Sequence, residues 1–148
     1  MRHGEGLNGQ LSPLGKKKIQ STTRQLIKEG YKPDVVLTIG ENVLITQSAE
    51  VLISAFKQAG QNLVASTNSE LRKPRVVAGI MQIDNDKSVV LMIGTGTDIR
   101  GTTYHLIKKE WTPGHGECLV LQGQRRGWSS VVNQGNHKSV KNFVPSLS

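Results

Sequence analysis

The chain reads as a layered α/β domain built on a largely parallel sheet flanked by helices. Three observations predict this. Short apolar runs alternate with helix-period segments, the run Val89-Val90-Leu91-Met92-Ile93 closes on a glycine-threonine loop, and glycines stand where helices should stop. At 148 residues the chain makes one domain with room for an ordinary core, and we take 1–148 as that single domain.

The elements follow in order. After an N-terminal loop, Ser12 caps a helix with Pro13 at its first position. Ile19, Thr23, Leu26 and Ile27 form its inner face, and Gly30 ends it. Val35 to Ile39 is a buried strand, and Gly40-Glu41-Asn42 opens a second helix carrying Leu44, Leu52, Ala55, Phe56 and Ala59 before Gly60. Leu63-Val64-Ala65 makes a further strand, while 66–83 takes no clear assignment. Val89 to Ile93 is the clearest strand, and a helix around Thr102 to Lys109 follows its loop. Three short strands are expected near Glu117 to Leu121, Trp128 to Val132 and Val140 to Val144.

Composition narrows the function classes. Hydrophobic residues make up 36% of the chain and no apolar run is long enough to span a bilayer, so no membrane role is expected. No secretory signal is visible and Cys118 is the lone cysteine, which fits a cytoplasmic protein and a buried strand thiol. A net charge of +8 favours anionic partners such as phosphoproteins, nucleotides or nucleic acid. With 4% aromatic residues there are few platforms for stacking bases, which argues against single-strand binding. Lys16-Lys17-Lys18 and Arg125-Arg126 read as solvated charge. His105, His115 in a Pro-Gly-His-Gly turn, and His137 show no metal-ligand spacing, and neither metal nor cofactor is expected.

The stretch that carries chemistry is Arg2-His3-Gly4-Glu5. A neutral imidazole is a good nucleophile toward phosphorus, and an adjacent guanidinium offers a two-point clamp for phosphoryl oxygens. His3 and Arg2 are therefore the candidate nucleophile and clamp, with Glu5 as a neighbouring acidic group. Gly94-Thr95-Gly96 after the Val89–Ile93 strand offers backbone amides and one hydroxyl to an anion, so Gly94, Thr95 and Gly96 join Arg2 as phosphate-binding candidates. The loop lacks the Gly-Lys-Thr ending of a nucleotide P-loop.

Met-Arg-His-Gly-Glu, Leu11-Ser12-Pro13-Leu14-Gly15, Pro33 to Thr38, Thr46-Gln47-Ser48-Ala49-Glu50, Val89 to Gly94, Gly116 to Leu121, Trp128-Ser129 and Phe143-Val144-Pro145 together resemble the histidine phosphatase, or phosphoglycerate mutase-like, superfamily, especially small SixA-type phosphohistidine phosphatases. The resemblance spans nearly the whole chain and implies a three-layer domain. It also implies hydrolysis of a phosphohistidine or phosphomonoester through phospho-His3, on a phosphorylated protein or a small phosphorylated substrate. Three departures accompany it. The family's first strand precedes Arg-His-Gly, so either the protein starts upstream of Met1 or the sheet lacks a central strand. The family's catalytic arginine falls at Leu44, or at Val43 with a one-residue shift. Its second histidine falls at Thr95. These losses point to an impaired catalyst or, alternatively, a noncatalytic module that binds a phospho-ligand or protein; Arg72, Lys73, Arg75 and Arg100 are weak substitutes for the missing charge.

Overall fold

The computed structural model describes residues 1–67, 89–122 and 138–147. It is an α/β sandwich. The first helix, α1, spans Pro13–Lys28. Ser12 caps it by accepting a hydrogen bond from the Gly15 N–H at 2.9 Å, with Pro13 at the start, where a missing N–H costs nothing. The second, α2, spans Val43–Gln58, and the side chain of Asn42 accepts from the Leu44 N–H at 2.8 Å.

What sequence reads as a loop before α1 contains a short hairpin. Strands β1 (Gly6–Leu7) and β2 (Gln10–Leu11) pair antiparallel around Asn8-Gly9, both at positive φ, 52° and 77°. Asn-Gly is the residue pair that a tight two-residue hairpin turn demands.

Strands β3 (Val35–Thr38), β4 (Ala65–Thr67) and β5 (Val90–Ile93) form a parallel sheet in the order β4-β3-β5. β4 thus begins where the sequence placed a strand's end. Beyond β5, α3 runs Gly96–Ile107, six residues earlier than the expected start at Thr102, because Thr95 caps it. β6 (Cys118–Gln122) and β7 (Lys138–Phe143) pair antiparallel with a register shift between Val120 and Leu121. The expected strand at Trp128–Val132, the Arg125-Arg126 turn, His137, Arg72, Lys73 and Arg75 lie outside the described residues.

The sheet alternates its side chains between two cores, as a pleat must. Val36, Leu91 and Ile93 face α1 and α2 and pack with Ile19, Leu26, Ile45, Leu52 and Phe56. Leu37, Ile39, Val90 and Met92 face the other way, against Ile99 of α3 and Trp111. Helices on both faces make three layers, as the sequence implied.

Residues 1–3 occupy the position beside β5 that the sequence left empty. The Met1 amino group donates to Met92 O at 2.7 Å, Gly94 N donates to Met1 O at 3.1 Å, and His3 N donates to Gly94 O at 3.1 Å. Arg2 bridges Gly94 in parallel and, on its other edge, donates its N–H to Glu117 O at 3.0 Å. Met1 is 5% exposed and belongs to the larger core.

Candidate active site

Arg2 and His3 leave the sheet at the carboxyl edge of β5, where strand ends in a parallel sheet open a crevice. Three elements fix that departure. Ser48, buried in α2, accepts a hydrogen bond from the Gly4 N–H at 2.9 Å. Gly15 of α1 lies against Glu5: a Cβ on Gly15 would stand 2.3 Å from Glu5 O. The turn before β6 is tied down by Gly116, whose N–H donates to Arg2 O and His3 O at 3.1 and 3.3 Å.

His3 is 7% exposed, and its Nδ1 lies 2.7 Å from Gly4 O. A carbonyl oxygen only accepts, so Nδ1 carries the proton and Nε2 keeps its lone pair. Burial pushes the His3 pKa below its ordinary value. The bond to Gly4 opposes that shift, and the neighbouring His115 and Arg2 reinforce it. The ring is thus held neutral, the state a nucleophile needs.

The Arg2 guanidinium donates from Nη1 to Pro113 O at 2.8 Å and meets His115 Nε2 from Nη2 at 3.3 Å. Its Nε–H is buried without a partner among the described residues and lies beside Gly96, where an added Cβ would come within 3.2 Å of it. Glu5 turns to α1 and pairs with Lys18 at 2.5 Å, a contact that lowers its carboxyl pKa. Glu5 is therefore engaged away from the His3 ring.

The glycine-threonine loop lies against Arg2 and His3, but its groups are largely spoken for. Gly94 N–H is used by Met1 O. The Thr95 hydroxyl accepts from Asp98 N at 3.2 Å and donates to Asp98 Oδ2 at 2.9 Å, so it caps α3. Gly96 stands beside the Arg2 guanidinium. Leu44 carries no charge into the site and is packed over Gly6, whose added Cβ would stand 2.8 Å from it.

His115 is the residue that sequence left among the unassigned histidines. Its ring centroid is 5.6 Å from that of His3. The turn before β6 lies at the His3 end of residues 1–3, since Gly116 bonds Arg2 and His3, while Cys118, the first residue of β6, lies near the Met1 amino group. β6 therefore runs against the parallel strands and delivers its leading turn to their carboxyl edge. Local sequence around His115, a Gly-His-Gly turn, carries no signal of this placement. Cys118 itself is buried, and burial pushes its thiol pKa up, which marks a core residue and not a reactive one. Among the described residues no group of histidine, cysteine and carboxylate side chains is clustered to hold a metal, and no helix is long and apolar enough to cross a membrane.

No family profile matches the sequence, and no curated protein matches it. Solved structures do. The chain superposes on a protein histidine phosphatase SixA complexed with tungstate with a TM-score of 0.74 at 18% identity, over 98% of this chain and 94% of that one. A protein assigned as a phosphohistidine phosphatase SixA from Nakamurella multipartitia gives 0.72 at 16% identity, over 98% and 93%. A mycobacterial glucosyl-3-phosphoglycerate phosphatase gives 0.66 at 14% identity, over 98% and 96%.

Proposed function

On the SixA-like histidine phosphatase fold that this chain adopts over nearly its whole length, we propose a slow phosphohydrolase that works through phospho-His3 on a phosphohistidine or a phosphomonoester. The observation that carries this reading is the 2.7 Å bond from His3 Nδ1 to Gly4 O, which leaves Nε2 as a free, neutral nucleophile. Nε2 attacks phosphorus as the bond to the leaving group breaks, and the leaving atom takes a proton from solvent. Water then attacks phospho-His3, releasing inorganic phosphate and returning the lone pair to Nε2.

Arg2 supplies the positive charge beside the transferring group. Leu44 and Thr95 supply none at the two positions where the resemblance expects it, and each missing charge stabiliser costs about 10²–10³ in rate. A leaving imidazole needs less protonation than an alkoxide, which favours phosphohistidine as the substrate class. Tungstate, which one similar structure holds, is a phosphate analogue and a suitable probe of phosphate binding by this chain.

A second reading, a noncatalytic phospho-ligand or protein-binding module, is favoured by one observation: the Thr95 hydroxyl is committed to capping α3 and Leu44 packs over Gly6, so neither acts on a transferring group. Assays of turnover on an aryl phosphate and on phosphohistidine, for wild type, His3→Ala and Arg2→Ala, separate the two. Turnover that disappears with His3→Ala supports the hydrolase. Phosphate binding without turnover supports the module.

A further inference from the structure

We propose that His115 is a positioning residue of this site: it holds the Arg2 guanidinium beside His3 and so supplies, from the turn before β6, an imidazole that Thr95 cannot provide. The inference rests on the phosphohydrolase reading and deepens it.

The hydrogen-bond roles are set by elementary chemistry. His115 Nδ1 lies 3.3 Å from His3 O, an acceptor, so Nδ1 carries the proton. His115 Nε2 faces Arg2 Nη2 at 3.3 Å, and guanidinium only donates, so Nε2 is the acceptor. One neutral tautomer satisfies both contacts. The ring thereby links the clamp arginine to the backbone of the nucleophile.

The turn that carries His115 is itself anchored. Gly116 adopts φ 75° and donates to both Arg2 O and His3 O, and Thr22 of α1 donates its hydroxyl to Gly116 O at 2.7 Å. Pro113 O, in the same turn, takes Arg2 Nη1. A guanidinium has five N–H donors; these two contacts use two and leave three, including the buried Nε–H, which has no partner among the described residues. The turn therefore fixes the plane of the fork without exhausting it, and a phosphoryl group on His3 meets an arginine already oriented.

The test is a double-mutant cycle between His115 and Arg2, read on phospho-His3 formation and, separately, on binding of inorganic phosphate by calorimetry. His115→Ala should slow phospho-His3 formation by about 10²-fold, as a misplaced binding group does. His115→Gln, whose Oε1 can accept from Arg2, should recover most of that loss. In an Arg2→Ala background, His115→Ala should add no more than about a twofold change, because its action runs through the guanidinium. Its thermal midpoint should stay within roughly 4 °C of the parent's. An unaffected His115→Ala protein, or an equal penalty with and without Arg2, overturns the proposal. If wild type forms no adduct and turns nothing over, the hydrolase reading fails, and the cycle is decided by phosphate binding: coupling there sustains the His115–Arg2 link, while additivity or absent binding overturns it.

Discussion

Gly15 and Glu5 meet backbone to backbone: a Cβ on Gly15 would lie 2.3 Å from Glu5 O and 2.9 Å from Glu5 N. Nothing flexible can yield there, since both contacts are main chain. Gly15→Ala must therefore push α1 away from the Arg2–Glu5 segment. We expect a loss of about 1–3 kcal/mol from overpacking, read as a lower denaturant midpoint, together with weakened phosphate binding. A Gly15→Ala protein with unchanged stability would mean that the segment is not wedged against α1.

Ser48 ties α2 to the same segment through the Gly4 N–H. Ser48→Ala removes the acceptor and leaves a buried donor, which costs about 1–3 kcal/mol. Urea unfolding measures this, and a midpoint equal to the parent's would contradict the role given to the hydroxyl.

Burial lowers the His3 pKa, and the sign of its effect on stability follows. Above about pH 6.5 the ring is neutral in both folded and unfolded chains and contributes no pH dependence. Below that value the unfolded chain takes up a proton first, so stability falls as pH drops toward the folded pKa and levels off beneath it. His3→Gln should flatten that part of the stability profile between pH 6.5 and the folded value. An equally steep profile in the variant would assign the acid loss to other groups.

Restoring charge tests whether the site is a decayed catalyst. Leu44→Arg with Thr95→His places positive groups where the family resemblance expects them, at the cost of the α3 cap, about 1 kcal/mol. A gain in turnover of several orders of magnitude is expected, since each preorganised group is worth about 10²–10³. No gain in a folded double variant would show that more than two groups separate this site from an efficient one.

Much of the scaffold was legible because its signals are local. Ser12-Pro13 caps α1 as read, and the Val90–Ile93 strand is continuous and apolar enough to need no tertiary information. Thr95 was harder: a hydroxyl after a strand suits either an anion or a helix cap, and Asp98, three residues on, decides for the cap. The β1–β2 hairpin is announced only by Asn8-Gly9, because each of its strands is two residues long. His115 was invisible for a deeper reason. Its nearness to His3 depends on β6 running against the parallel strands, a fact of topology that no local spacing encodes.

His3 Nε2 is the atom proposed to accept the phosphoryl group. Rapid quenching of wild type with a labile phosphoryl donor, followed by peptide mass spectrometry under conditions that preserve phosphohistidine, tests it most directly. The expected result is an acid-labile adduct on the peptide that carries His3, absent from His3→Ala and reduced in Arg2→Ala, with His105, His115 and His137 unmodified. An adduct on any of those three histidines instead, or turnover that persists in His3→Ala, would contradict it.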